Sequence, residues 1–188
     1  MRVIAGKYKG RKLNSPDDNN VRPTTDKAKE ALFSILTNEI YGARVLDLFA
    51  GTGGLGIEAL SRGASYCVFA DSSRKSLDLI RSNIAHCNIE EPTRVAAGDY
   101  AKVLRNLARR IEDGLEEPFD IILLDPPYDA GFMEKAFALI AEGGVLAEDG
   151  TIVAEHRKHE ELPEDLHGFT RAKERRYGVV VLSIYNNM

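Results

Sequence analysis

Short, almost unbroken apolar runs separated by helix-spaced segments set the tightest limit on how this chain folds. Val45-Leu46-Asp47-Leu48-Phe49, Tyr66-Cys67-Val68-Phe69-Ala70 and Phe119-Asp120-Ile121-Ile122-Leu123-Leu124 read as buried strands, with weaker ones over 95–97 and 151–154. Helical spacing predicts helices over 55–62, closed by Gly63, and over 74–86, 101–111 and 132–141. Continuous apolar strands alternating with amphipathic helices make a parallel sheet covered on both faces. The tail differs: 171–177, Gly178, then 179–185 reads as two strands joined by a tight turn, hence antiparallel at the sheet edge. The expected fold is α/β and Rossmann-like, a mostly parallel seven-stranded sheet with an antiparallel edge and helices on both faces.

Ahead of this alternation lies a different segment. Gly6 and Gly10 stand at turn-like spacing in residues 1–13, which predicts a short basic β-hairpin. Residues 14–20, Asn-Ser-Pro-Asp-Asp-Asn-Asn, are loop chemistry. Thr24 or Thr25 then caps a helix whose apolar face is Ala28, Ala31, Leu32, Ile35 and Leu36. The division expected is a basic extension over 1–20 and one larger domain over 21–188.

Composition narrows the classes. With 188 residues, 44% hydrophobic and 29% charged, the chain suits one globular domain. No apolar stretch approaches a membrane span, and residues 1–7 hold too short an apolar run for a signal peptide. Two cysteines, Cys67 and Cys87, make neither a disulfide framework nor a cysteine zinc site, so a cytoplasmic setting is expected. Net charge is −4, but residues 1–29 carry eight Lys/Arg against three Asp/Glu, whereas the rest carries 17 against 26. A second basic cluster is Arg171, Lys173, Arg175 and Arg176. Such patches suit a polyanion even on an acidic protein, although a charge run is also an ordinary solvated surface.

In open parallel sheets ligands bind past the carboxyl ends of strands, near the switch point. The first strand ends in Asp47-Leu48-Phe49-Ala50-Gly51-Thr52-Gly53-Gly54. Its glycines let backbone N–H groups approach a ligand, and the following helix start adds donors and a positive dipole end. The Lys-Ser/Thr of a phosphate loop is missing, which disfavours an ATPase. Asp71, beside Ser72, ends the second strand and suits a ribose diol, or else caps a helix. Asp99, beside Tyr100, ends the third strand and suits an adenine amine, or again a cap.

The fourth strand ends in Asp125-Pro126-Pro127-Tyr128. Two prolines fix φ and stiffen the backbone, leaving carbonyls to face a cleft. The exocyclic amine of a base is a poor nucleophile because its lone pair is delocalised. The Asp125 carboxylate and the Pro126 carbonyl can take both its N–H hydrogens, favouring a pyramidal nitrogen. Tyr128 can stack on the base. Such a clamp accelerates through orientation and fixed dipoles.

These two motifs are similar to the cofactor and amino-methylation motifs of S-adenosylmethionine-dependent methyltransferases. Further blocks resemble the RsmD family of bacterial 16S rRNA guanine-N2 methyltransferases: Arg2-Val3-Ile4-Ala5-Gly6 with Gly10-Arg11, Val21-Arg22-Pro23-Thr24-Thr25-Asp26 running into Ala31-Leu32-Phe33, Leu46 to Gly53, and Arg176-Tyr177-Gly178 before the last strand. The resemblance spans essentially the whole chain. It implies the class I methyltransferase fold. It implies that Asp47, Phe49, Ala50, Gly51, Thr52 and Gly53, Asp71 and Ser72, and Asp99 and Tyr100 hold S-adenosylmethionine, with Arg22 and Thr24 closing over it. Asp125, Pro126, Pro127 and Tyr128 would hold the guanine, and Arg2, Lys7, Lys9, Arg11 and Lys12 the rRNA. The expected partner is 16S rRNA within the small subunit or an assembly intermediate, met by a monomer. Two positions depart from the family: Asp71 where Glu is frequent, and Lys27 where Arg is frequent. The runner-up is an amino-methyltransferase of another nucleic acid, at adenine N6 or cytosine N4. A nicotinamide dehydrogenase would share the glycine loop and ribose acid, but has no use for the tetrapeptide. A non-catalytic nucleic-acid-binding domain would have no need of it either.

His156, His159 and His167, with Glu155 and Glu160, read as a solvated polar loop, and no metal is expected. Cys67 is expected in the core.

Overall fold

The computed structural model of the chain describes residues 1–15, 26–127 and 131–187, with the Lys27 side chain left out. Its elements, in order, are α1 (Asp26–Ile35), β1 (Arg44–Asp47), α2 (Gly54–Ser61), β2 (Tyr66–Asp71), α3 (Arg74–His86), β3 (Thr93–Ala97), α4 (Tyr100–Glu112), β4 (Phe119–Leu124), α5 (Phe132–Glu142), β5 (Leu146–Arg157), β6 (Asp165–Leu166), β7 (Phe169–Tyr177) and β8 (Val180–Asn187). One sheet runs β3-β2-β1-β4-β5-β8-β7-β6. The first five strands are parallel, and β8, β7 and β6 are antiparallel. Chain order reverses between β1 and β4, so the switch point lies there. The sheet has eight strands where seven were expected, the extra one being the two-residue β6.

Side chains alternate across the strands into two cores. Val45, Cys67, Phe69, Ile121 and Leu123 face α1, α2 and α3. Leu46, Val68, Ile122, Leu124 and Ile152 face α4 and α5. Helix α2 is buried on every side, because α1 and the N-terminal arm cover the flank that the sheet leaves open. Cys67 is fully buried, as expected of a small core residue.

The polar segment after residue 154 departs from expectation. Strand β5 begins five residues earlier than predicted and runs three further, carrying Glu155 and His156 into burial. His156 Nδ1 lies 3.1 Å from the Arg157 carbonyl and Nε2 lies 2.9 Å from Ser183 Oγ. A ring that donates from Nδ1 accepts the Ser183 hydroxyl at Nε2, and β8 supplies that partner. A solvated loop is therefore the wrong description of His156 and Glu155.

The basic arm is hairpin-like, but its ladder is a single bridge, Arg2 to Lys12, with Val3 N–H donating to the Arg11 carbonyl at 3.0 Å. Gly10 N–H donates to the Val3 carbonyl at 2.9 Å and Leu13 N–H to the Met1 carbonyl at 3.0 Å, and other bonds of the arm go to the domain. Lys7 N–H donates to the Ser61 carbonyl at 2.8 Å, and Tyr8 N–H to Ser61 Oγ at 2.9 Å. Gly6 adopts φ 83°, and a Cβ there would overlap the Ser61 carbonyl, so only glycine lets the arm lie this close. Val3, Tyr8 and Leu13 enter the same core as α1 and α2. The domain division expected near residue 20, and the Thr24 or Thr25 cap, lie outside the described residues.

Candidate functional site

The carboxyl ends of β2, β1 and β4 converge around the loop that follows β1. Leu48 N–H donates to the Leu123 carbonyl at 3.1 Å, and Ala50 N–H to the Ala70 carbonyl at 2.9 Å. The chain is thereby pinned to both neighbours as it leaves the sheet. It turns through Gly51 and Gly53, and Gly53 begins α2 at φ 79°. Among the described residues, a side chain at Gly51 would meet nothing within 4 Å, so none of them covers that turn.

Two aspartates brace this loop from different sides. Asp71 Oδ2 accepts the Gly51 N–H at 2.9 Å, and Oδ1 accepts the Ser73 N–H at 2.8 Å. This fixes the half-exposed carboxylate beside the loop, with lone pairs left for a diol. Asp47 is only 1% exposed and accepts the Gly56 N–H at 2.9 Å. It holds the first turn of α2 from beneath. Burial raises its pKa to about 7, opposed by the Gly56 bond and reinforced by the Asp71 charge.

That shift has a direct stability consequence. Between the ordinary aspartate value and about 7, the folded state keeps the Asp47 proton that the unfolded chain has lost. Stability from this group therefore falls as pH rises through that window and is level above it. Asp47→Asn should gain on the wild type as pH goes from acid to neutral, measured by urea unfolding across the window. Parallel stability curves for the two proteins would rule the mechanism out.

Asp99 is the N-cap of α4, with Oδ1 accepting the Ala101 N–H at 2.9 Å and the Lys102 N–H at 3.1 Å. Capping leaves Oδ2 with no bond among the described residues, so the cap and a contact to an amine are compatible. The N-cap of α3 is Ser73, so Asp71 is not that helix's cap, and Ser72 beside it is exposed. Three rings gather above these loops. Phe49 stacks on Phe132 with centroids 6.1 Å apart, and Tyr100 lies 5.5 Å from Phe49 and 5.1 Å from Phe132. All are partly exposed, and they form an apolar shelf between β1 and β3. Phe132, at the start of α5, was not foreseen, because its distance in sequence hides its proximity to Phe49.

Across the switch point, Asp47 of β1 is level with Leu123 of β4. Asp125, Pro126 and Pro127 therefore emerge level with the Phe49–Gly51 stretch. Asp125 is half-buried, Pro126 buried and Pro127 exposed. Tyr128, Arg22 and Thr24 lie outside the described residues. A diol acceptor, an open glycine turn and an aromatic shelf on one side of the rim suit a nucleoside-bearing sulfonium cofactor. An acid followed by a rigid turn on the other side suits an amine substrate.

Thr52, 9% exposed, is tied down from behind. Its carbonyl accepts the Asn83 Nδ2 at 2.9 Å, and the same amide donates to the Asn14 carbonyl at 3.0 Å and accepts the Asn14 N–H at 2.7 Å. Fully buried Asn83 thus fastens the arm to the glycine loop. Its spacing from Ile80 and Cys87 on the buried face of α3 was the available signal.

The basic residues of the arm are spread out. Lys7 Nζ pairs with Glu90 at 2.8 Å and Glu91 at 3.0 Å, which pushes its pKa up. Arg11 donates to the Cys87 carbonyl and lies over the Tyr8 ring. Arg2 faces Asp26 at 3.2 Å. Lys9 and Lys12 are exposed, with no ion pair among the described residues. The arm tip, residues 6–9, meets Ser61 at the far end of α2 and Glu91 just before β3. It lies at the opposite end of the sheet from Asp125. No cluster of metal-ligating side chains occurs among the described residues, and no described helix is long and apolar enough to cross a membrane.

The family model described as "Conserved hypothetical protein 95" matches residues 1–186. The YlbH protein of Bacillus subtilis is 41% identical, over 98% of each chain. "Ribosomal RNA small subunit methyltransferase D" of Escherichia coli is 33% identical, over 98% of this chain and 89% of its own. The solved structure of yhhF from Escherichia coli superposes with a TM-score of 0.85 at 30% identity, covering 100% of this chain and 97% of that one.

Proposed function

Because the chain belongs to the RsmD family and has the class I methyltransferase fold, we propose that it transfers a methyl group from S-adenosylmethionine to the exocyclic N2 of a guanine in 16S rRNA. One observation carries this reading: the Asp125-Pro126-Pro127 turn leaves β4 level with the glycine loop of β1, across the switch point. Relatives named for rRNA methylation add support for the substrate class.

The cofactor supplies an electrophilic methyl carbon on a sulfonium. The chain supplies everything else. The Asp71 carboxylate, oriented by the Gly51 and Ser73 amides, takes the ribose hydroxyls. The Phe49, Tyr100 and Phe132 shelf holds the purine, and Asp99 Oδ2 takes its amine. On the opposite side, the Asp125 carboxylate and Pro126 carbonyl accept the two N–H hydrogens of the guanine amine. The nitrogen lone pair then points at the methyl carbon. With S-adenosylmethionine bound there, this nitrogen would take its methyl group and leave the neutral thioether; the proton then shed by the nitrogen would pass to the Asp125 carboxylate or to solvent, so no strong base is needed first. The amine of a guanine is normally paired or stacked, so the base must come from an unpaired loop or be flipped out. A monomer in the cytoplasm, acting on the small subunit or an assembly intermediate, completes the reading.

The test uses tritiated S-adenosylmethionine with small subunits from cells lacking this protein, beside naked 16S rRNA and plain DNA. Label in N2-methylguanosine of the subunits or the rRNA is expected. Label only in DNA, at adenine or cytosine, would replace this reading with that of a DNA amino-methyltransferase.

A further inference from the structure

We infer that the turn between β7 and β8, together with the end of β5, grips the RNA strand flanking the target base. This rests on reading the tip of β4 as the base site.

The register places the turn at that rim. Ala154 of β5 is level with Leu124, and β5 runs three residues further, to Arg157, about 10 Å at strand rise. Arg157 pairs with Val180, and Val180 with Tyr177. The Gly178-Val179 turn, with Gly178 at φ 65°, thus stands at the same end of the sheet as Asp125. Strand spacing puts it about 10–15 Å sideways from β4. A strand whose base is held at Asp125 passes over this rim or over the cofactor side, and the cofactor side is filled when the reaction runs.

The rim carries exposed cations of its own, beside the carboxylates of Glu160, Glu161 and Glu174. Lys158, Lys173 and Arg175 are exposed and carry no ion pair among the described residues. Arg176 is held by Glu174 at 2.9 Å while remaining 64% exposed, which fixes its position without covering it. By contrast, Lys7 at the arm tip is committed to Glu90 and Glu91, at the far end of the sheet. Val179, 49% exposed at the turn itself, offers an apolar contact for a splayed base. Phosphates flanking an extruded guanine match this arrangement in sign and place.

The variant Lys173→Gln/Arg175→Gln, which removes two exposed cations from one face of β7, tests this in filter binding to 16S rRNA from cells lacking the protein, across a salt series. Losing two phosphate contacts should flatten the slope of log K against log salt by about 1.4–1.8. KM for rRNA should rise by about tenfold, with affinity for S-adenosylmethionine unchanged by calorimetry. Arg81→Gln/Arg109→Gln removes the same charge from the outer faces of α3 and α4 and should leave the slope at its wild-type value. An unchanged slope and KM in the hairpin variant overturns the inference, as does a wild-type protein that binds no rRNA. A wild type that binds rRNA with the expected variant effect, yet methylates none, retains this surface and removes the guanine-N2 reading instead.

Discussion

Asp125→Ala should lower the rate of methyl transfer by about 10²–10³-fold, the scale seen when one fixed polar group facing the reacting atoms is removed. The residue leaves β4 half-buried and is followed by two prolines, so its carboxylate is held by a backbone with little freedom to move. Its proposed contact is with an amine whose lone pair must be freed from the ring, and that contact strengthens as the nitrogen pyramidalises. The loss should therefore fall on kcat, with S-adenosylmethionine affinity changed by no more than about twofold. Asp125→Asn keeps one acceptor and the shape, and should retain more activity than the alanine variant. Single-turnover methylation of small subunits, with calorimetry for cofactor, separates the steps. A full rate in Asp125→Ala would remove the clamp from the mechanism.

The parts of this site that were legible in the sequence are those whose chemistry sits at a strand end. Continuous apolar runs exposed the parallel strands because both of their faces are covered, and the residues past each run became candidates by position alone. Strand β5 was harder. It is flanked by polar residues at both ends, and the burial of Glu155 and His156 depends on β8, whose Ser183 meets the imidazole from another part of the chain. Strand β6, two residues long, has no periodicity to detect. The docking of the arm was hidden for a related reason. A run of positive charge reads as a grip for polyanions, but Lys7 lies against Glu90 and Glu91, and Arg11 over Tyr8. Local charge reported a surface, while the fold had assigned part of it to docking.

That docking centres on one buried acid, and Glu58→Ala should destabilise the protein by about 3–5 kcal/mol. Glu58 is fully buried on α2. Its oxygens accept the Ile4 N–H at 2.8 Å and the Ala5 N–H at 3.0 Å, and meet Lys29 Nζ at 3.2 Å and Arg62 Nε at 2.8 Å. Lys29, equally buried, also donates to the Arg2 carbonyl at 2.5 Å. Burial already draws the Lys29 pKa below its usual value, and the Glu58 charge opposes that shift. Removing the acid strands an ammonium in the core and orphans two backbone donors of the arm. Adding Lys29→Met to Glu58→Ala removes the stranded charge, so the double variant should be more stable than Glu58→Ala alone. Urea unfolding gives both numbers, and amide exchange at Ile4 and Ala5 reports release of the arm. A loss below about 1 kcal/mol for Glu58→Ala, within the range of an ordinary surface pair, would show that the arm does not depend on this acid. The sequence did carry its signals: one carboxylate in the apolar run Leu55 to Leu60, and Lys29 spaced with Leu32, Phe33 and Leu36 on a single helical stripe. Neither alone implies a pair. Only the fold, by laying the arm across α2, brings the two charges and the arm's free amides to one point, and fastens the arm onto the helix that begins at the glycine loop.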